Sequence, residues 1–129
     1  MSIEMQYLFW SILLGFAHVV LSGISAARVR GLAWNAGPRD GTPVPLTGVA
    51  GRLHRANNNF LETFVFFAAA VLAVVVAGKA NAQTALGVQL YFWARLAYLP
   101  AYAAGVPYLR SVIWAVAVVG LVMVVTALS

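Results

Sequence analysis

Apolar residues stand in long blocks along this chain, neither alternating as in a half-buried strand nor confined to one stripe as on a soluble helix. From Tyr7 to Ala27 there is no Asp, Glu, Lys or Arg. Blocks of this kind, about 20 residues long and enough to cross a hydrocarbon layer of about 30 Å, recur four times. The breaks between them are chemically marked. Arg28 and Arg30 close the first block, and the Pro/Gly-rich run Gly37-Pro38-Arg39-Asp40-Gly41-Thr42-Pro43-Val44-Pro45 cannot continue a helix, since each Pro lacks an N–H and restricts its predecessor. Thr47 is placed to cap a second helix running to Ala77, Gly78-Lys79-Ala80-Asn81 forms the next turn, and Gly105-Val106 ends a third helix. Pro107, at a first helical position, is expected to open the fourth helix, which runs to Leu128. The pattern predicts an all-α integral membrane four-helix bundle, a single domain over 1–129. Its spans are placed at about 7–27, 56–77, 82–104 and 107–128, and the first is read as an uncleaved span.

Composition agrees: 63% of the residues are hydrophobic and 9% charged. A water-soluble enzyme, a nucleic-acid reader and a disordered adaptor all need polar surface that no segment supplies. The net charge of +5 matters through its location. Arg28, Arg30, Arg39, Arg52 and Arg55 lie in or beside the first connection and Arg110 beside the third, against Lys79 alone in the second. By the positive-inside rule the 28–55 loop is cytoplasmic and both termini lie opposite. With no cysteine, the chain has no disulfide, thiolate ligand or cysteine nucleophile of its own, and any thiol chemistry uses a borrowed thiol. No metal site is expected: His54, between Arg52 and Arg55, stands alone, and His18 in mid-span reads as a hydrogen-bonded packing residue rather than a ligand or base.

Polar side chains at membrane depth are costly unless paired, and the few present are the candidates. On the second helix Arg52, Arg55, Asn59 and Glu62 recur every three or four residues, and on the third Arg95, Tyr98 and Tyr102 do the same. Antiparallel packing is expected to set Arg55 level with Tyr102, Asn59 with Tyr98 and Glu62 with Arg95. Two readings stand. Glu62 and Arg95 form a structural ion pair inside the bundle, or the ladder binds a small zwitterionic or anionic molecule, with Arg for carboxylates, Glu for an ammonium and Tyr and Asn for amides. Pro100 is expected to kink the third helix beside the tyrosines. The small residues Gly15, Gly23 and Gly120 permit close helix contacts.

Arg55-Ala56-Asn57-Asn58-Asn59-Phe60-Leu61-Glu62 resembles the helix-two signature Arg-Ala-x-x-Asn-x-x-Glu of the membrane-associated proteins in eicosanoid and glutathione metabolism, the MAPEG family. Ala94-Arg95-Leu96-Ala97-Tyr98, followed by Tyr102 and Arg110, resembles the family's helix-three segment and the Arg that opens helix four. The sparse charge and punctuated loop resemble bacterial members, placing the chain in a bacterial inner membrane. The resemblance implies a homotrimer holding glutathione between subunits near the cytoplasmic side, and a transferase that joins its thiolate to hydrophobic electrophiles arriving through the bilayer. It assigns Arg55, Asn59, Glu62, Tyr98 and Tyr102 to glutathione binding. Arg110 is assigned to stabilising the thiolate, and Arg28 to binding or assisting the acceptor. Arg30, a neighbour of Arg28, and Arg52 and Arg95 are supporting residues. Thr63 stands where the leukotriene-forming synthase has a Tyr. The same thiolate implies a peroxidase activity towards lipid hydroperoxides, with glutathione as co-substrate and no metal.

Two other functions fit parts of the pattern. One is a non-catalytic lipid-binding or scaffold member of the same family. The other is a small proton-coupled exporter with four spans, although such exporters carry their essential carboxylate in the first helix, where this chain's mid-span has none.

Overall fold

The computed structural model of the chain describes residues 1–129. Helices form where the apolar blocks stand: α1 (Ile3–Arg30), α3 (Gly48–Val76), α4 (Ala82–Ala103) and α5 (Leu109–Thr126), with a short α2 (Leu32–Ala36) in the first connection. Three of them, α1, α3 and α5, are both long and apolar enough to cross a membrane. The apolar run of α4 is interrupted by Gln83, Gln89 and Arg95.

Local chemistry explains the boundaries. Ser2 caps α1 by accepting from the Met5 N–H at 3.2 Å, and Glu4 in the first turn suits the positive end of the helix dipole. Gly31, at φ 88°, ends α1 in a conformation that L side chains avoid. The following α2, which the hydrophobic pattern does not show, closes where Arg39 donates from Nε and Nη2 to the Asn35 carbonyl at 3.0 and 2.8 Å. Asn81 opens α4 with a reciprocal capping box to Thr84. Thr47 does occupy the N-cap of α3, but its side chain makes no capping bond. Pro100 sits inside α4, which continues through it to Ala103.

The start of the last helix departs from expectation. Pro107 belongs to a tight turn in which the Leu109 N–H donates to the Pro107 carbonyl at 2.8 Å, and α5 begins at Leu109. Tyr108 takes φ 64° to make the turn, so proline preorganises the approach rather than the first helical residue. Arg110 is thereby placed in the first turn of α5.

Two close pairs build the bundle, α4 against α5 and α1 against α3. The first depends on glycine. A Cβ at Gly87 would stand 2.7 Å from the Gly120 carbonyl oxygen, and one at Gly120 would stand 2.5 Å from the Gly87 carbonyl oxygen. Gly120 is thus used within the chain. Gly15 packs against the Phe60 ring, and Gly23 faces open space. Phe67 stacks on Tyr91 with ring centroids 4.0 Å apart, among Val71, Val74, Val88 and Val124. At the end of the bundle away from the arginines, buried Glu4 accepts from Thr84 Oγ1 at 2.9 Å and Lys79 donates to the Leu128 carbonyl at 2.8 Å.

Candidate functional site

The polar faces of α3 and α4 meet, in a register that differs from the expected one below the first rung. Arg52 Nε donates to the Ala103 carbonyl at 2.9 Å, and Arg55 Nε donates to the Tyr102 hydroxyl at 2.9 Å. Deeper, Arg95 Nη1 donates to Asn59 Oδ1 at 2.7 Å, and deeper still the Thr63 and Tyr91 hydroxyls share a bond of 3.0 Å. Asn59 therefore pairs with Arg95, not with the level of Tyr98.

The expected Glu62–Arg95 pair does not form. Glu62 is exposed, whereas Arg95 is fully buried. Helical geometry gives the reason. From Asn59, a step of four residues to Thr63 rotates about 40° one way, while three residues to Glu62 rotate about 60° the other way. Thr63 follows the face that meets α4; Glu62 leaves it.

Three arginines converge at the upper end. A cleft of about 290 Å³ is lined by Arg52, Arg55, Tyr102 and Arg110, with Gly105 to Pro107 forming its remaining wall. Tyr102 organises it. Its hydroxyl accepts from Arg55, and the Arg110 guanidinium lies 5.1 Å from its ring centroid. The α4–α5 turn puts Arg110 there, since α5 starts at Leu109 directly above the end of α4. None of the chain's three carboxylates borders the cleft, so its positive charge is uncompensated. Guanidinium groups in such a setting bind carboxylates through paired N–H bonds and hold a neighbouring anion in its charged form.

Beneath the cleft the polar groups are enclosed. The Arg95 guanidinium carbon lies 4.3 Å from the centroid of Tyr98, whose ring meets Tyr102 edge-on at 5.5 Å. Arg95 Nε and Nη2 and the Tyr98 hydroxyl are buried without hydrogen-bond partners. At Phe60 this cluster adjoins His18, which stacks on that ring at 4.8 Å and is buried. His18 packs, but the hydrogen bond expected of it is not made: both ring nitrogens are unpartnered within the chain.

Of the sequence-derived candidates, Arg52, Arg55, Asn59, Arg95, Tyr98, Tyr102 and Arg110 come together. Glu62 and Arg28 do not; both are exposed, Arg28 at the end of α1. Arg30 turns to the first connection, donating from Nε to the Val44 carbonyl at 2.9 Å. Thr63 and Tyr91 join the ladder unannounced, although the four-residue step from Asn59 and its mirror from Arg95 point to both.

Nothing among curated proteins or solved structures matches the chain. The model of the MAPEG family matches residues 7–128, nearly the entire length and both polar ladders. The protein is an integral membrane member of the MAPEG family.

Proposed function

We propose that the protein is a membrane glutathione transferase whose glutathione site is the three-arginine cleft. The observation that carries this reading is the convergence of Arg52, Arg55 and Arg110 on one cleft, Arg55 and Arg110 against Tyr102, with no carboxylate to neutralise them. Family membership supports a membrane role of glutathione-transferase type. Glutathione brings two carboxylates, two amides and a thiol. Arg55 and Arg52 hold carboxylate, Tyr102 serves a peptide group and Arg110 faces the sulfur, while Asn59 and Tyr98, beneath the cleft, reach the ligand's peptide groups only if its floor opens on binding.

A free thiol with pKa about 8.5 is mostly protonated at neutral pH, and a fixed cation beside it raises the thiolate fraction. Arginine suits that task because it keeps its charge. The thiolate then attacks an electrophilic carbon, a C–S bond forms, and the leaving group departs with the displaced electron pair. The bilayer concentrates apolar acceptors beside the sulfur. With a hydroperoxide as acceptor, two glutathiones yield the disulfide, an alcohol and water.

In this reading α4 is the fourth span, its polar side turned inward, and the working unit is a homotrimer in a bacterial inner membrane with the 28–55 loop cytoplasmic. Glu62 supports the assembly: it is exposed on α3 between Leu61 and Val65, where an unpaired carboxylate against lipid is costly. In the trimer Glu62 and Arg28 complete the site across the subunit boundary, Glu62 meeting the glutathione ammonium and Arg28 assisting the acceptor. Conjugation of glutathione to a chloronitrobenzene by detergent-purified protein tests the reading. Turnover that falls at least tenfold in Arg55→Gln supports it; a protein that binds lipid yet never turns over glutathione is the scaffold member instead.

A further inference from the structure

A hollow of about 380 Å³ opens at the seam between α1 and α4. Four aromatic rings wall it, Tyr7 and Trp10 from α1 and Phe92 and Trp93 from α4, with Leu96 as the one aliphatic neighbour. Contacts between the two helices set their arrangement. The Tyr7 ring meets Phe92 edge-on at 5.7 Å with the planes 70° apart, Phe92 meets Trp93 at 5.1 Å and 75°, and Trp93 Nε1 donates to the Tyr7 hydroxyl at 3.3 Å. Rings of the core lie differently, since Phe67 and Tyr91 stack nearly parallel and fill the space between them. Rings set crosswise enclose a hollow instead.

Helical spacing brings these rings together. Tyr7 and Trp10 are three residues apart on α1, and Trp93 and Leu96 are three apart on α4, so each pair shares a face of its helix. Phe92 is buried at the back, while Trp10 and Trp93 stand about half exposed at the rim. No charged side chain lines the hollow. Arg95 is only two residues beyond Trp93, but that step turns it about 200° around α4, to Asn59 and Tyr98. The nearest charged side chain along α1 is Glu4, a turn above Tyr7. An interfacial belt accounts for single Trp and Tyr side chains at this depth, not for four rings around one hollow.

Ring electrostatics and depth identify the occupant. The face of an aromatic ring is its negative side, and a cation over such faces is attracted most strongly by Trp, of which the hollow has two. That attraction is stronger where water is scarce. Tyr7 opens the charge-free block of α1 and Trp10 lies a turn further in, so the rings begin below the headgroup layer. A primary ammonium is strongly hydrated and resists entry there, whereas the alkyl groups of a quaternary ammonium shield its charge and let it leave water at lower cost. A headgroup tethered to its phosphate stays outside that depth; a free molecule does not. We infer that the Tyr7, Trp10, Phe92 and Trp93 cage binds a free hydrophobic quaternary ammonium ion, its charge against the ring faces and its apolar arm towards Leu96. The inference is independent of the thiol chemistry, since none of these residues lines the three-arginine cleft.

Titration of benzyltrimethylammonium into the full chain, purified in a nonionic detergent, tests it, with neopentylbenzene as the neutral molecule of the same shape and Trp10→Leu and Trp93→Phe as variants. Saturable binding of one cation per chain is expected, at least tenfold tighter than neopentylbenzene. Trp10→Leu, which removes a half-exposed ring but keeps an apolar side chain, abolishes that preference, and Trp93→Phe, with its weaker ring face, reduces it. Equal affinity of the wild type for the two probes makes the hollow merely apolar and overturns the inference. A preference for the cation that survives in Trp10→Leu places the binding elsewhere and overturns it too. In nanodiscs the affinity is expected to be the same in phosphatidylcholine and phosphatidylglycerol; a loss confined to phosphatidylcholine would assign the cage to a lipid headgroup. A wild type that binds neither probe, with a Trp10→Leu variant of smaller oligomeric size, would assign it to a second copy of the chain. The thiolate signal of bound glutathione, recorded on the same samples, is expected to be unchanged in both variants and reports the thiol site separately.

Discussion

Arg95 carries the sharpest consequences of any single side chain. It is fully buried, and its one hydrogen bond goes to Asn59 at 2.7 Å. Removing that acceptor leaves a buried charged donor without its one hydrogen-bond partner, so Asn59→Ala is expected to destabilise the protein by about 1.5 to 3 kcal/mol, seen as a lower thermal midpoint in detergent. Tyr102→Phe acts differently. It removes the hydroxyl that accepts from Arg55 but keeps the ring beneath Arg110, and is expected to weaken glutathione about tenfold by calorimetry, with little change in thermal midpoint. A comparable loss of stability in Tyr102→Phe would make the Arg55 bond structural. These residues were legible in the sequence because polar groups at membrane depth are few. Their partners were harder to read: the steps of three and four residues differ by about 100° of rotation, and only the packed register decides that Thr63, not Glu62, continues the face.

At the scale of elements, the α4–α5 hairpin positions the site. Gly87 and Gly120 let the two backbones approach, and that contact fixes where the turn delivers Arg110. Gly120→Ala must push α5 from α4 and is expected to cost about 1 to 3 kcal/mol, with glutathione turnover falling although the residue lies several turns from the cleft. Unchanged stability and turnover would show that the hairpin accommodates the methyl group. The long helices were readable from their apolar blocks and the arginines that end them. The short α2 was not, because Leu32–Ala36 gives too few residues for a period and is held by Gly31 and Arg39 on either side. The start of α5 was misplaced for a related reason: Pro107 fits a first helical position by composition, but the left-handed Tyr108 intervenes.

For the molecule as a whole, exposure sets the remaining demand. Large apolar side chains cover the outer faces of all three membrane-length helices, as a bilayer or a neighbouring subunit requires, yet Glu62 interrupts that surface on α3. If a second copy covers it, Glu62→Leu is expected to leave the subunit folded and its thermal midpoint at least as high, while losing affinity for glutathione by more than tenfold. A variant with full affinity would leave Glu62 outside the site. The membrane-length helices and the basic first connection follow from hydropathy and arginine placement, whereas any pairing of subunits depends on surface shapes that one chain's sequence does not spell out.

The measurement to make first is the ultraviolet thiolate absorbance as glutathione is titrated into detergent-purified protein at neutral pH, with Arg110→Ala alongside and oligomer size checked for both. A saturable band in the wild type that disappears in the variant, at unchanged size, is the expected result. A band of equal amplitude in Arg110→Ala, or none in wild type saturated with glutathione, would mean that the three-arginine cleft does not activate the thiol.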